Sequence, residues 1–211
     1  MAQAEPRDLE GSLIAAAQHG DASAVAALLE QGAKVEATNE KGSTALMISS
    51  FYGHVEVVAT LIKGGANVKT ANGQGKDALM FAAGAGRAAV ATALLQNGAE
   101  VEAANENGTT ALMAAALSGH VAAVTGLIEC GANVEAANEN GMTALMAAAF
   151  GGHAGVATAL LERGAKVEAA DKKGLTAYRL AEQNGHAAVV AVLGDLQRAM
   201  ETPLQDEDDD L

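Results

Sequence analysis

The chain predicts an all-α solenoid: about six stacked helix pairs, caps included, with a β-turn or hairpin projecting between pairs. Three observations predict it. First, Asn107-Gly-Thr-Thr-Ala-Leu-Met-Ala-Ala-Ala-Leu-Ser-Gly-His120 returns as Asn140-Gly-Met-Thr-Ala-Leu-Met-Ala-Ala-Ala-Phe-Gly-Gly-His153, and looser copies run Lys41 to His54, Gln74 to Arg87 and Lys173 to His186. A fixed period of 33 residues is the mark of a repeat architecture. Second, each copy holds two short apolar runs at helical spacing, both stopped by glycine. Third, half the residues are apolar but only 2% are aromatic. Much of that apolar share is Ala and Val, which suits thin helices packed in layers rather than a bulky core.

The unit Asn107–Glu139 shows why each element forms. Gly108 opens a tight turn. Thr110 is a natural N-cap, since its hydroxyl can accept from an orphan N–H of the first turn. Ala111 to Ala116 are strong helix formers, and Gly119 can take the left-handed conformation that ends a helix. A second helix runs from about His120 to Glu129, with Val124, Leu127 and Ile128 on one face. Gly131 stops it, and the chain leaves through an extended turn. Helices of roughly 8–10 residues are marginal alone in water, so a single unit cannot bury its own apolar face, whereas a stack can.

In chain order, residues 1–8 read as a polar, disordered leader. Residues 9–40 lack the Gly-x-Thr start and read as an N-terminal cap unit. Units 41–73, 74–106, 107–139 and 140–172 are full. Residues 173–200, with Arg179, Glu182, Gln183, Asn184 and Arg198, form a more polar C-terminal cap, and 201–211 read as an acidic disordered tail.

The pattern resembles the ankyrin repeat, whose signature is a Gly-x-Thr-Pro-Leu-His start, a Gly-His between helices and a Gly-Ala end. Gly-x-Thr begins at Gly42, Gly108, Gly141 and Gly174, with Asp77 in place of Thr in the unit between. Gly-His recurs at Gly53, Gly119, Gly152 and Gly185, with Gly86-Arg87 as the variant, and Gly-Ala recurs at Gly32, Gly65, Gly98, Gly131 and Gly164. The resemblance covers about residues 9–200. Two departures stand out. The motif Pro is Ala (Ala45, Ala78, Ala111, Ala144, Ala177), and the motif His is Met (Met47, Met80, Met113, Met146) or Arg179. Neither is expected to alter the fold, because proline is favoured but not required at the first helical position and methionine fills the space. The resemblance implies a non-catalytic protein–protein interaction module that binds through its concave face and turn tips. It also leaves open an inhibitor or assembly chaperone of a partner enzyme and, further off, a structural spacer.

Charge and motifs narrow the classes. Net charge is −13, and the body stays acidic when the six acids of residues 201–211 are set aside. That argues against nucleic acid, whose phosphates demand a basic footprint. The one cysteine, Cys130, excludes an internal disulfide and is compatible with a reducing compartment. The residues after Met1 lack the apolar core of a signal peptide, and no stretch reaches the ~20 apolar residues of a spanning helix. An intracellular, cytoplasmic monomer without cofactors is expected. Gly84-Ala-Gly86-Arg-Ala-Ala89 mimics a nucleotide fingerprint, but follows no strand, and Gly75-Lys76 lacks the rest of a phosphate loop. His54, His120, His153 and His186 hold one repeat position. Stacked units lie about 8–10 Å apart, too far for them to share a zinc. They read as polar residues that begin second helices. No nucleophile–base set is forced together, so no enzyme is expected.

Recognition should sit where the units vary. Four of the five aromatics, Phe51, Tyr52, Phe81 and Phe150, fall in variable positions, while Tyr178 takes a scaffold position. An apolar strip of Phe51, Tyr52, Phe81, Leu117, Met142 and Phe150 is therefore expected along the groove. The alternative is that these side chains fold down and fill the groove floor, Phe81 above all, because it borders the inter-repeat seam. Glu102, Glu106, Glu135, Glu139 and Glu168 recur around the extended turns and should form an acidic edge, with Glu106 and Glu139 as contact residues. Together they suit a basic, amphipathic partner segment; a solvated, solubilising face is the other reading. The acidic tail could steer such a partner or serve only as a solubilising end.

Overall fold

The computed structural model describes residues 8–201, with side chains described through Gly194. The acidic tail beyond Glu201 and the leader before Asp8 lie outside the described residues. Twelve helices occur among the described residues: α1 Leu9–His19, α2 Ala22–Glu30, α3 Ala45–Tyr52, α4 Val55–Lys63, α5 Ala78–Gly84, α6 Ala88–Gln96, α7 Ala111–Leu117, α8 Val121–Glu129, α9 Ala144–Gly151, α10 Ala154–Glu162, α11 Ala177–Gln183 and α12 Ala187–Glu201. Odd-numbered helices stack on one another in one layer and even-numbered helices in a second, so the chain is an all-α helical solenoid. Asp8, read as leader, is the N-cap of α1: its carboxylate accepts from the Gly11 N–H at 2.8 Å.

Local chemistry sets each start and stop. Thr44, Thr110, Thr143 and Thr176 cap the first helices of their units, each hydroxyl accepting from the backbone N–H three residues on at 3.3–3.5 Å. Asp77 does the same for α5 at 2.8 Å. Gly53 and Gly152 end α3 and α9 in the left-handed region, at φ 88° and 78°. A side chain there would be strained.

The apolar seam between the layers is filled by the same positions in every unit. Leu46, Leu79, Leu112 and Leu145 are buried on the first helices, and Leu61, Leu94, Leu127 and Leu160 on the second. The motif methionines Met47, Met80, Met113 and Met146 are buried too, and the alanines that stand for proline begin their helices without a kink.

The projecting turns are built by side chains that imitate backbone. Asn39, Asn72, Asn105, Asn138 and Asp171 each accept with one Oδ1 from two N–H groups, two and four residues on, at 2.8–3.0 Å. Antiparallel bridges close four of these hairpins, at Thr38–Thr44, Ala71–Asp77, Ala104–Thr110 and Ala170–Thr176. Successive tips are tied as well. Glu106 N–H donates to Gln74 O, Glu139 N–H to Asn107 O at 3.0 Å, and Lys172 N–H to Asn140 O at 2.9 Å.

Candidate binding surface

The last residue or two of each first helix cannot reach the seam, because the seam is already filled one turn earlier. Phe51, Leu117 and Phe150 occupy this equivalent position and are 46%, 46% and 48% exposed; Tyr52, next to Phe51, is 43% exposed. Phe51 is the hub of a small aromatic group. Its ring meets Tyr52 edge-on with centroids 5.3 Å apart, and Phe81 edge-on at 6.5 Å. Tyr52 stacks on His54 at 6.0 Å.

The structure divides the expected strip. Phe51, Tyr52, Leu117 and Phe150 present open surface. Phe81 does not: it is half-buried, packed on the core and capped by Phe51. Its position is the one Ile48, Ala114 and Ala147 hold in other units, at the joint between first helices, so a side chain there fills the floor. Met142 also rests half-buried against the core at the base of a turn. Glu106 and Glu139 stand exposed at the turn tips, with their backbone fixed by the tip-to-tip bonds.

Two acids of the expected edge have a second role. Glu102 and Glu135 hold the stack together. Glu102 Oε1 accepts from Asn133 N–H at 2.8 Å, and Glu135 Oε1 from Lys166 N–H at 2.9 Å, each one unit on. Glu36 does the same to Asn67 N–H at 2.8 Å and also accepts from the Thr70 hydroxyl at 3.0 Å. Lys69 occupies this position in unit 41–73 and cannot accept. There the receiving residue is Glu100, and the two form an ion pair at 2.6 Å. Both side chains are exposed; the Lys69 ammonium beside Glu100 holds its carboxyl below the usual carboxylate value.

The histidines are also more than helix starters. His54, His120 and His153 do not cap their helices with the side chain. His54 Nε2 donates to Gln18 O at 3.0 Å, His153 to Leu117 O at 3.0 Å, and His186 to Phe150 O at 2.9 Å. A carbonyl can only accept, so Nε2 carries the proton in each. Arg87 takes over the role with Nε donating to Phe51 O at 3.0 Å. Three of these bonds, from Arg87, His153 and His186, fix the carbonyls of Phe51, Leu117 and Phe150, the residues that carry exposed apolar side chains. The rings lie so close over the preceding unit's glycines that a Cβ on Gly20, Gly86, Gly119 or Gly152 would stand 2.6–2.8 Å from a histidine Nδ1.

Between Phe51 and Leu117 the row is broken by Gly84. The missing side chain leaves a recess of about 360 Å³ lined by Phe51, Met80, Phe81, Ala114 and Leu117, with Lys76, Asn105, Thr109 and Ser118 at its rim. Turn residues and first-helix residues thus line one groove. A larger recess of about 530 Å³ lies at the α1 end, but its wall of Asp8, Glu10, Gly11, Ile14, Thr38, Asn39, Glu40 and Lys41 holds no aromatic and mixes charges of both signs. The sequence signal for the recess is Gly84, a glycine in phase with Phe51, Leu117 and Phe150.

No group of three or more His, Cys, Asp or Glu able to hold a metal occurs among the described residues. No helix among them is long and apolar enough to cross a membrane.

Comparison with known proteins agrees with this architecture. A family model described as ankyrin repeats (3 copies) matches residues 13–105, 67–138, 98–171 and 127–202. The fold is similar to the crystal structure of an ankyrin repeat domain from Acinetobacter baumannii AYE, with a TM-score of 0.74 and 31% identity, over 88% of this chain and 97% of that one. No curated protein matches the chain.

Proposed function

The chain belongs to the ankyrin repeat family, and from that premise we propose that it is a non-catalytic adaptor, monomeric and cytoplasmic, that grips another protein along the groove between its first helices and its turn tips. Repeats of this family are generally protein–protein interaction modules. One observation supports the groove in particular: Phe51, Leu117 and Phe150 are exposed at a single repeat position while the core positions around them are filled. Large apolar groups left in water on a rigid surface are the usual anchors of an interface. Rigidity adds to this. The turn ladder and the histidine bonds order the surface before a partner arrives, so little conformational entropy is lost on binding. The partner segment is amphipathic: its apolar side lies on the row, and basic groups face Glu106 and Glu139. Neither nucleic acid nor membrane is part of this reading.

The test is affinity capture from salt-washed lysate by the wild type and by a Phe51→Ser/Phe150→Ser double variant, with circular dichroism to show that both are folded. A partner held by the wild type and lost by the folded variant is the expected result. Equal retention by both proteins would move the site to the turns, the tail or the second-helix face.

A further inference from the structure

We propose that the recess at Gly84 is a socket for one bulky apolar side chain of a partner polypeptide, and that Lys76 on its rim selects an acidic residue beside that side chain. This rests on the groove being the binding surface and names what its deepest point accepts.

Three features converge on the assignment. The recess exists because of one residue: at the position of Phe51, Leu117 and Phe150, unit 74–106 has glycine. No neighbour forces that choice. Gly84 is not in the left-handed region, and a Cβ built on it would meet only the Ala114 Cβ, at 3.8 Å, an ordinary contact. The stack tolerates a side chain there, so the opening is not a by-product of packing. Its volume of about 360 Å³ falls at the small end of ligand sites, suited to one side chain rather than a cofactor.

The chemistry of the wall is the second feature. Phe51, Phe81, Met80, Ala114 and Leu117 offer aromatic edges, a thioether and aliphatic surface, the lining that aromatic and large aliphatic groups prefer. Phe81 closes the floor and Phe51 is held over it, edge to face.

The third feature is charge. Lys76 is the one charged residue that lines the recess, and it makes no ion pair among the described residues. Its neighbour Asp77 does not neutralise it locally by a bond, because the Asp77 carboxylate is turned inward to cap α5. An unpaired ammonium on a half-buried lysine beside an apolar socket favours a carboxylate brought in by the occupant. Beyond the socket the tips become acidic at Glu106 and Glu139, so the bound segment has a direction: acid over Lys76, anchor in the recess, base further along.

A peptide-display selection on the full chain tests this, followed by fluorescence anisotropy of the enriched peptides on the wild type, Gly84→Leu, Gly84→Ala, Lys76→Glu and Phe150→Ser, each checked by circular dichroism. The expected result is enrichment of an aromatic or large aliphatic residue next to Asp or Glu. Gly84→Leu, which fills the socket, should weaken those peptides by at least about tenfold, the scale of one buried anchor, and Gly84→Ala by less. Selection on Lys76→Glu should exchange the acidic neighbour for a basic one. Unchanged affinity in folded Gly84→Leu and Gly84→Ala overturns the socket. If those same peptides weaken with Phe150→Ser, the groove reading survives without it. Enrichment of nothing by the wild type overturns both. Self-association that Gly84→Leu abolishes, seen by sedimentation, assigns the recess to a second copy and overturns the proposal.

Discussion

Units 107–139 and 140–172 carry the same Thr-Ala-Leu-Met-Ala-Ala-Ala run, whereas units 41–73 and 74–106 keep its Ala-Leu-Met and depart from it on either side. Ser49 and Ser50 replace the alanine pair, Ile48 and Phe81 replace a third alanine, Asp77 replaces the threonine cap, Arg87 replaces histidine, and Gly84 interrupts the exposed row. Two of these departures have a partner that restores what was lost: Arg87 still reaches the preceding carbonyl, and Lys69 finds Glu100. Two do not. Ser50 Oγ is fully buried with no hydrogen-bond partner among the described residues. Asp77 is 4% exposed, and burial pushes its carboxyl above the usual value despite the Met80 and Leu79 N–H groups that stabilise its charged form. The contrast teaches that the central units are near the scaffold optimum. The features that carry a cost, Ser50 and Asp77, both belong to the two irregular units.

That contrast can be broken first at its common base. Leu94→Ala and Leu127→Ala remove equivalent, fully buried side chains from the two kinds of unit. Each should cost about 2–5 kcal/mol, read by urea denaturation. Closely matched losses would show that the two regions share one core; a clear excess at either site would show that the departures reach into it.

Ser50→Ala sharpens the comparison. It restores the residue that Ala83, Ala116 and Ala149 provide elsewhere and removes a buried hydroxyl without a partner. A gain of roughly 1 kcal/mol is expected, with the reverse change Ala116→Ser giving a loss of similar size. No gain from Ser50→Ala would mean the hydroxyl is satisfied in solution.

The smallest effect is at Asp77→Thr, and it depends on pH. The folded-state pKa lies above the unfolded one, so Asp77 favours folding in its protonated form, and the ionised form is penalised as pH rises through the folded value. The substitution should therefore raise the Tm most at neutral pH, and the gain should shrink on acidification and vanish below the ordinary carboxylate range. A gain independent of pH would locate the effect in helix capping instead.

How far the sequence could be read follows from the same division. Features that repeat in phase were legible: the helix pairs, the threonine caps, the glycine stops, the exposed position of Phe51, Leu117 and Phe150. What was hidden needs knowledge of which residues face each other across a joint. The histidines reach 36 residues back and Glu102 and Glu135 reach 31 residues forward, distances that are not the repeat period and appear only once the units are stacked. Phe81 looked like an anchor because it varies, yet its turn of the helix faces the joint. The recess was illegible for a plainer reason, since it is made by an atom group that is missing.

The exchanged pair Lys69–Glu100 has a consequence for how such a chain can grow. Each unit presents a departing side chain at one site and a receiving group at another, and neighbours must match like words in a grammatical sentence. Units that send out a glutamate and receive through a backbone N–H can be copied in tandem. Unit 41–73 sends out a lysine, which finds an ion-pair partner only in a unit with an acid at the receiving site. If 74–106 were deleted by recombination, Lys69 would face Asn133, whose N–H offers it nothing to donate to. The two irregular units thus match each other at this joint, while the joints that follow repeat one glutamate-to-N–H contact.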